Sequence, residues 1–187
     1  MDVAAAIEAR RAYRSLDPAE ITRELVGDLA RHAGLAASCF NKQPWRFVFV
    51  HDRETLGKMP GALKKGNEWA RRASMMVAVC TKRELDCAMK DGREYALFDT
   101  GMAAAHLILR AVELGLVAHP IAGYEPEEVR SLLGIPDDMT VITLIMVGRH
   151  AADIKPELAE AWQVTAEKER PERLPLEKYA FHNRYQT

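Results

Sequence analysis

Two stretches, SMMVAVCTK at residues 74–82 and TVITLIMVG at residues 140–148, are short, nearly unbroken apolar runs rich in Val, Ile and Met. Each is shorter than a core helix and is bounded by polar or turn-forming residues, so both predict buried strands. A buried sheet must be covered by something else in the chain, and the segments between the runs carry helical periodicity. Residues 3–13 place Val3 and Ile7 at helical spacing among many alanines. Residues 18–33 carry a stripe of Ile21, Leu25, Val26 and Leu29. Asp17-Pro18 reads as a cap with a first-turn proline, and Gly34 ends the helix. Further strands are predicted over 46–51 and 116–121, and further helices over 53–63, 125–133 and 156–168. The longest helix, 92–114, has Gly101 inside it and is rich in Ala, which suggests close packing, including against a second copy of itself. Helices alternate with short buried strands and no repeat is present, which gives an α/β or α+β layered domain.

With 187 residues, 48% of them hydrophobic, the chain can build one sizeable core, so residues 1–187 are read as a single domain. Lys and Arg number 26 against 27 Asp and Glu, a formal charge of -1, so no global basic field would hold the chain on nucleic acid. No basic segment followed by a long apolar stretch opens the chain and no run reaches membrane-spanning length, so the expected location is the cytoplasm. Cys39, Cys80 and Cys87 have no CxxC spacing, which suits a reducing compartment; Cys80 lies in an apolar run and reads as a core residue. The tail beyond residue 168 is basic and aromatic. Its Leu174, Leu176, Tyr179 and Phe181 call for cover, either over a partner subunit or on the same chain.

Few residues are candidates for chemistry of their own. The six histidines lack metal-ligand spacing, no nucleophile elbow is present, and Asp137-Asp138 reads as a turn. Neither a metal site nor a catalytic acid, base or nucleophile is expected, which points to a bound organic cofactor carrying the reaction. Arg10, Arg11 and Arg14 are read at the end of the first helix, with Arg10 and Arg14 on one face. They form either a solvated basic end or a phosphate site built from side chains, since no glycine-rich phosphate loop follows any strand. In the loop SCFNKQPW, residues 38–45, Asn41 and Gln43 offer donors and acceptors, Pro44 stiffens the chain and Trp45 gives a flat wall. That set suits a heteroaromatic ring or, equally, a capped strand entry over a core Trp.

RRAYR at 10–14, the loop at 38–45, HPIAGY at 119–124, the two apolar runs and RLPL at 173–176, in this order, resemble the FMN-dependent nitroreductase family over nearly the whole chain. The resemblance implies a three-layer α+β fold with a mainly antiparallel mixed sheet and an obligate homodimer. Residues 155–187 would form an extension exchanged between subunits, and FMN would lie in clefts built by both chains. Arg10, Arg11 and Arg14 would then hold the FMN phosphate and ribityl chain, with Ala12 replacing the family's usual Ser, and Arg173 would complete the site, with Arg149 a competitor. Ser38, Cys39, Asn41 and Gln43 would contact the flavin from the partner subunit. Pro120, Ile121, Ala122 and Gly123 would cover one flavin face, with a backbone N–H reaching N5, and Asn67 would add a contact. The implied activity is ping-pong reduction of an electron-poor acceptor, such as a nitroaromatic or a quinone, by NADH or NADPH. Alternatives are flavin chemistry of the flavin-fragmenting or reductive-dehalogenating kind, or a non-catalytic module that binds phosphorylated ligands.

Overall fold

In a computed structural model that describes residues 1–158 and 160–185, the strand β3 (Met75–Thr81) is buried at every position. Its side chains alternate between two cores, as the period of two in a strand requires. Met76, Ala78 and Cys80 join one core, with Leu144, Met146, Trp69 and Val129. Met75, Val77 and Val79 join the other, with Ile145, Val147, Leu29 and Leu107. The sheet is therefore covered on both faces, which makes a three-layer α+β fold.

The second core is roofed by α2 (Arg23–Ala33) and α4 (Tyr95–Glu113). The first is closed by α5 (Pro126–Leu133) and by two 3-10 segments, Met59–Ala62 and Glu68–Arg72. β5 (Thr140–His150) is the central strand. It pairs with β3 along one edge and with β4 (Val117–Ile121) along the other, while β2 (Arg46–Val50) lies outside β3. The two-residue β1 (Leu16–Asp17) pairs with His150 and Arg149. Every strand pairing among the described residues is antiparallel. The β3–β5 register slips once, between Val79 and Cys80, so the sheet bends at that end. Among the described residues no helix is long and apolar enough to cross a membrane.

Several boundaries differ from the sequence expectation. α1 (Val3–Ala9) stops at Arg10, which is extended at φ -60° and ψ 121°, so Arg10 to Arg14 lie on no helix and the shared helical face does not exist. α2 starts at Arg23 and not at Pro18. Thr22 is its cap, its hydroxyl accepting from Leu25 N at 3.1 Å, while Asp17 turns to Lys155 Nζ at 2.6 Å. The helix expected over 53–63 splits into α3 (Arg53–Lys58) and the 3-10 segment that contains Pro60. The last helix, α6 (Ala161–Lys168), starts later than expected. Beyond it, residues 171–180 are exposed throughout, with Leu174, Leu176 and Tyr179 all more than half accessible, so the tail is not docked on its own core.

Candidate functional site

The extended segment between α1 and β1 is held by bonds that no local pattern announces. Glu167, near the end of α6 and almost fully buried, accepts from Arg14 N at 2.8 Å and from Ser15 N at 3.1 Å. Two backbone donors that a helix would have used are thereby satisfied from elsewhere. Arg11 gives a guanidinium nitrogen to the α6 carbonyls of Ala166, at 2.8 Å, and Glu167, at 3.3 Å, and lies 4.6 Å from the Tyr13 ring centroid. It therefore caps the C-terminal end of α6, where a cation is favoured. Arg14 lies 4.8 Å from the ring centroid of Trp162 on α6.

These contacts leave a cleft of about 320 Å³ lined by Arg10, Arg11, Ala12, Arg14, Arg170 and Arg173, with Trp162 on its wall. Arg170 donates to the backbone carbonyls of Glu8 and Arg10, which draws the start of the tail against the end of α1. Among the described residues no carboxylate oxygen lies within 4.0 Å of any of the five guanidinium groups. Burial, then the charges of Arg173 and Arg170, lower the pKa of Arg10. Burial also lowers that of Arg14, against an opposing pull from Glu167. Such a concentration of forked donors, without an anion of its own, is matched to a phosphate group. Arg149 pairs with Asp17 in the sheet and is not among the residues that line the cleft.

The cleft is tied to the turn after β4. His119, buried on β4, places Nδ1 3.0 Å from Tyr13 O and stacks on Trp69 with ring centroids 4.7 Å apart. Burial pushes its pKa down to about 4, with Arg14 and Arg10 adding to the fall and the Tyr13 carbonyl opposing it. At neutral pH the imidazole is uncharged and donates through Nδ1 to that carbonyl. Directly after it come Pro120, exposed, Ile121, buried, then Ala122, exposed, and Gly123. Asn67 Nδ2 donates to Gly123 O at 3.0 Å, and Lys64 N donates to the same oxygen at 2.9 Å. A Cβ on Gly123 would lie 2.3 Å from Asn67 Nδ2, so only glycine permits this approach. Arg10, Arg11, Ala12, Arg14, Arg173, Asn67 and 120–123 thus form one connected region.

Ser38, Cys39, Asn41 and Gln43 are not part of it. Their loop sits at the other end of the sheet, where Thr81 Oγ1 donates to Pro44 O at 2.9 Å and Cys39 N donates to Asp99 on α4 at 2.7 Å. The arginine region borders the opposite end of β3, near Ser74, whose hydroxyl accepts from Ala19 N at 2.8 Å. The length of β3, roughly 20 Å at ~3.4 Å per residue, separates the loop from the arginines, whereas the turn at 120–123 follows Ile121, which lies level with Ala78, and is set apart from the loop by the strands between β4 and β2. Within the loop, Phe40, Asn41 and Gln43 have φ of 47°, 57° and 50°. Ser38 Oγ accepts from Gln43 N at 3.0 Å, and Gln43 Nε2 donates to Asn41 Oδ1 at 3.1 Å. Trp45 is buried against Ala36 and Ala103, as expected of a strand-entry anchor.

Arg170 and Glu167 escaped the reading of the sequence, and so did the link that His119 makes to the cleft. Arg170 precedes Arg173 in RPER and could have been paired with it; Glu167, in a polar helix, carries no signal at all.

Comparison with known proteins gives the family and the fold. The Nitroreductase family model matches residues 7–67 and 61–149, most of the chain. A protein of Archaeoglobus fulgidus provisionally named NADH dehydrogenase/NAD(P)H nitroreductase is 32% identical over 146 residues, covering 76% of this chain and 82% of its own. A crystal structure described as an oxidoreductase containing FMN is 28% identical, with a TM-score of 0.82 over 100% of this chain and 93% of that one. A provisionally named nitroreductase from Exiguobacterium sibiricum, solved in complex with FMN, shares the fold with a TM-score of 0.81 at 20% identity, over 98% of each chain. With that much of its length matched and the same three layers around one sheet, the chain belongs to the Nitroreductase family.

Proposed function

We propose that the protein is an FMN-dependent oxidoreductase that takes electrons from NADH or NADPH and delivers them to an electron-poor small molecule such as a nitroaromatic or a quinone. The observation that carries this reading is the cleft of five guanidinium groups, without a carboxylate partner among the described residues, joined through His119 and Asn67 to the turn at 120–123. FMN, when bound, supplies the hydride-accepting and hydride-donating chemistry that none of the side chains offers. Arg10, Arg14, Arg170 and Arg173 would hold its phosphate, with Arg11 fixing the cleft wall against α6. Ala122 and Gly123 would present backbone N–H groups to the ring. Ala122 brings no charge there, so stabilisation of negative charge on the ring falls to backbone dipoles. No side chain is assigned as acid or base, and protons come from water.

A single chain leaves the loop of Ser38, Cys39, Asn41 and Gln43 at the far end of its sheet. We place it in the second cleft of a homodimer, so that each site draws on both chains. Exposed apolar side chains on α1 (Val3, Ile7), α4 (Leu97, Phe98) and the tail (Leu174, Leu176, Tyr179) supply the surface such a dimer would cover. In this arrangement 155–187 embraces the partner. Donor and acceptor would use the same exposed face in turn, which makes the kinetics ping-pong.

The test is an absorbance spectrum of purified protein with and without added FMN, followed by anaerobic titration with NADH and with NADPH. Stoichiometric uptake of FMN and bleaching by at least one nicotinamide are expected. Failure to take up FMN would refute the cofactor assignment, and uptake without bleaching would refute the donor.

A further inference from the structure

Away from the arginine cleft, four side chains from three parts of the sequence meet beside the loop at 38–45. The sulfur atoms of Cys39 and Cys87 and a carboxylate oxygen of Asp86 all lie within 4.8 Å of one another. Both cysteines are free thiols and half-buried, whereas Asp86 is 8% exposed and Asp99, beside it, is 0% exposed. Asp86 Oδ1 accepts from Cys87 N at 2.7 Å, but Asp86 Oδ2 is buried without a hydrogen-bond partner among the described residues. Asp99 repeats the pattern: Oδ2 accepts from Cys39 N at 2.7 Å, and Oδ1 is buried without a partner.

Buried carboxylate oxygens are rarely left unpaired, because each loses its hydration without compensation. A disulfide between Cys39 and Cys87 would leave both oxygens as they are. A cation would satisfy Asp86 Oδ2 directly. The donor set then selects the cation: two thiolates and one carboxylate oxygen suit a tetrahedral, borderline-soft divalent ion, whereas calcium and magnesium require oxygen ligands. Zn–S bonds of about 2.3 Å and Zn–O bonds of about 2.0–2.2 Å put tetrahedral ligand atoms ~3.5–3.8 Å apart, a spacing that falls inside the 4.8 Å that bounds these three atoms.

We propose that Cys39, Asp86 and Cys87 bind one zinc ion, with the fourth position open to solvent and Asp99 acting as the positioning residue that holds Cys39. Binding releases the two thiol protons to solvent and involves no change of oxidation state. The ion would clamp the loop at 38–45, with its positive φ at Phe40, Asn41 and Gln43, to the segment before α4. The inference shares Cys39 with the loop assigned to the second flavin cleft, and its test reads bound metal, not bound flavin.

The experiment is metal analysis of the full chain, purified without chelator and dialysed against zinc, with cobalt(II) as a spectroscopic probe. Expected are one zinc per chain and, with cobalt, a thiolate-to-metal charge-transfer band together with the visible bands of a tetrahedral ion. The double variant Cys39→Ser/Cys87→Ser loses the band and the stoichiometric metal, and Asp99→Asn weakens binding roughly 10- to 100-fold, as expected for a partner that orients a ligand. Circular dichroism and urea unfolding of the variants separate lost binding from lost folding. Absence of stoichiometric metal, metal retained by the folded double variant, or a Cys39–Cys87 disulfide formed in the presence of zinc would each overturn the assignment.

Discussion

His119 should make the stability of the FMN-free protein depend on pH in a way that a single substitution removes. Burial pushes its imidazole down to about 4 from the ordinary value of 6.5. Above pH 6.5 both the folded and unfolded chains carry it neutral, and its contribution is fully present. As pH falls from 6.5 through 4, the unfolded chain takes up the proton first, so stability is lost. The difference of about 2.5 pH units corresponds to ~3 kcal/mol at the acid limit, of which ~2 kcal/mol is already lost at pH 5. His119→Asn keeps a side-chain N–H that reaches the Tyr13 carbonyl but cannot titrate. It gives up the stack on Trp69, a roughly constant cost of ~1–2 kcal/mol. Urea unfolding of both proteins, at fixed protein concentration and in buffers without phosphate, should show the wild type more stable at pH 7.5. The gap should fall by ~2 kcal/mol on going to pH 5, enough to close or reverse it. A gap independent of pH, or an imidazole NMR titration with a midpoint near the ordinary value, would refute the argument from burial.

Two further outcomes follow from the same region. Arg173→Ala is expected to weaken FMN binding roughly 10- to 100-fold, the value of one charge-assisted contact to phosphate, with a smaller salt dependence than the wild type; fluorescence quenching titrations at two ionic strengths measure both. Glu167→Ala leaves Arg14 N and Ser15 N without their acceptor in a buried place and should destabilise the fold by ~2–4 kcal/mol in urea unfolding, whereas Glu167→Gln should recover part of that loss.

The fold was largely legible. The apolar runs at 74–82 and 140–148 are β3 and most of β5, and their alternation between two cores follows from the two-residue period of a strand. Gly34 and Gly115 end their helices where expected, Gly115 with φ 77°. Boundaries governed by remote partners were not legible. α1 was expected to run through the arginines and instead stops before them, because Glu167 takes the backbone donors of Arg14 and Ser15. Asp17-Pro18 has the form of a helix start, but its strand pairing with Arg149 and its ion pair with Lys155 outweigh that local preference.

By itself the sequence determined the four longer strands, the helices that can cover them, and the arginine-rich segments near both ends of the chain. Those properties are set by spacing and residue type. Tertiary structure alone decided that Arg10, Arg14, Arg170 and Arg173 share one cleft, that a neutral His119 links it to the turn at 120–123, and that the loop at 38–45 lies at the end of the sheet away from those arginines. Convergence of this kind is fixed by where antiparallel strands deliver their ends, and distance along the chain carries no record of it.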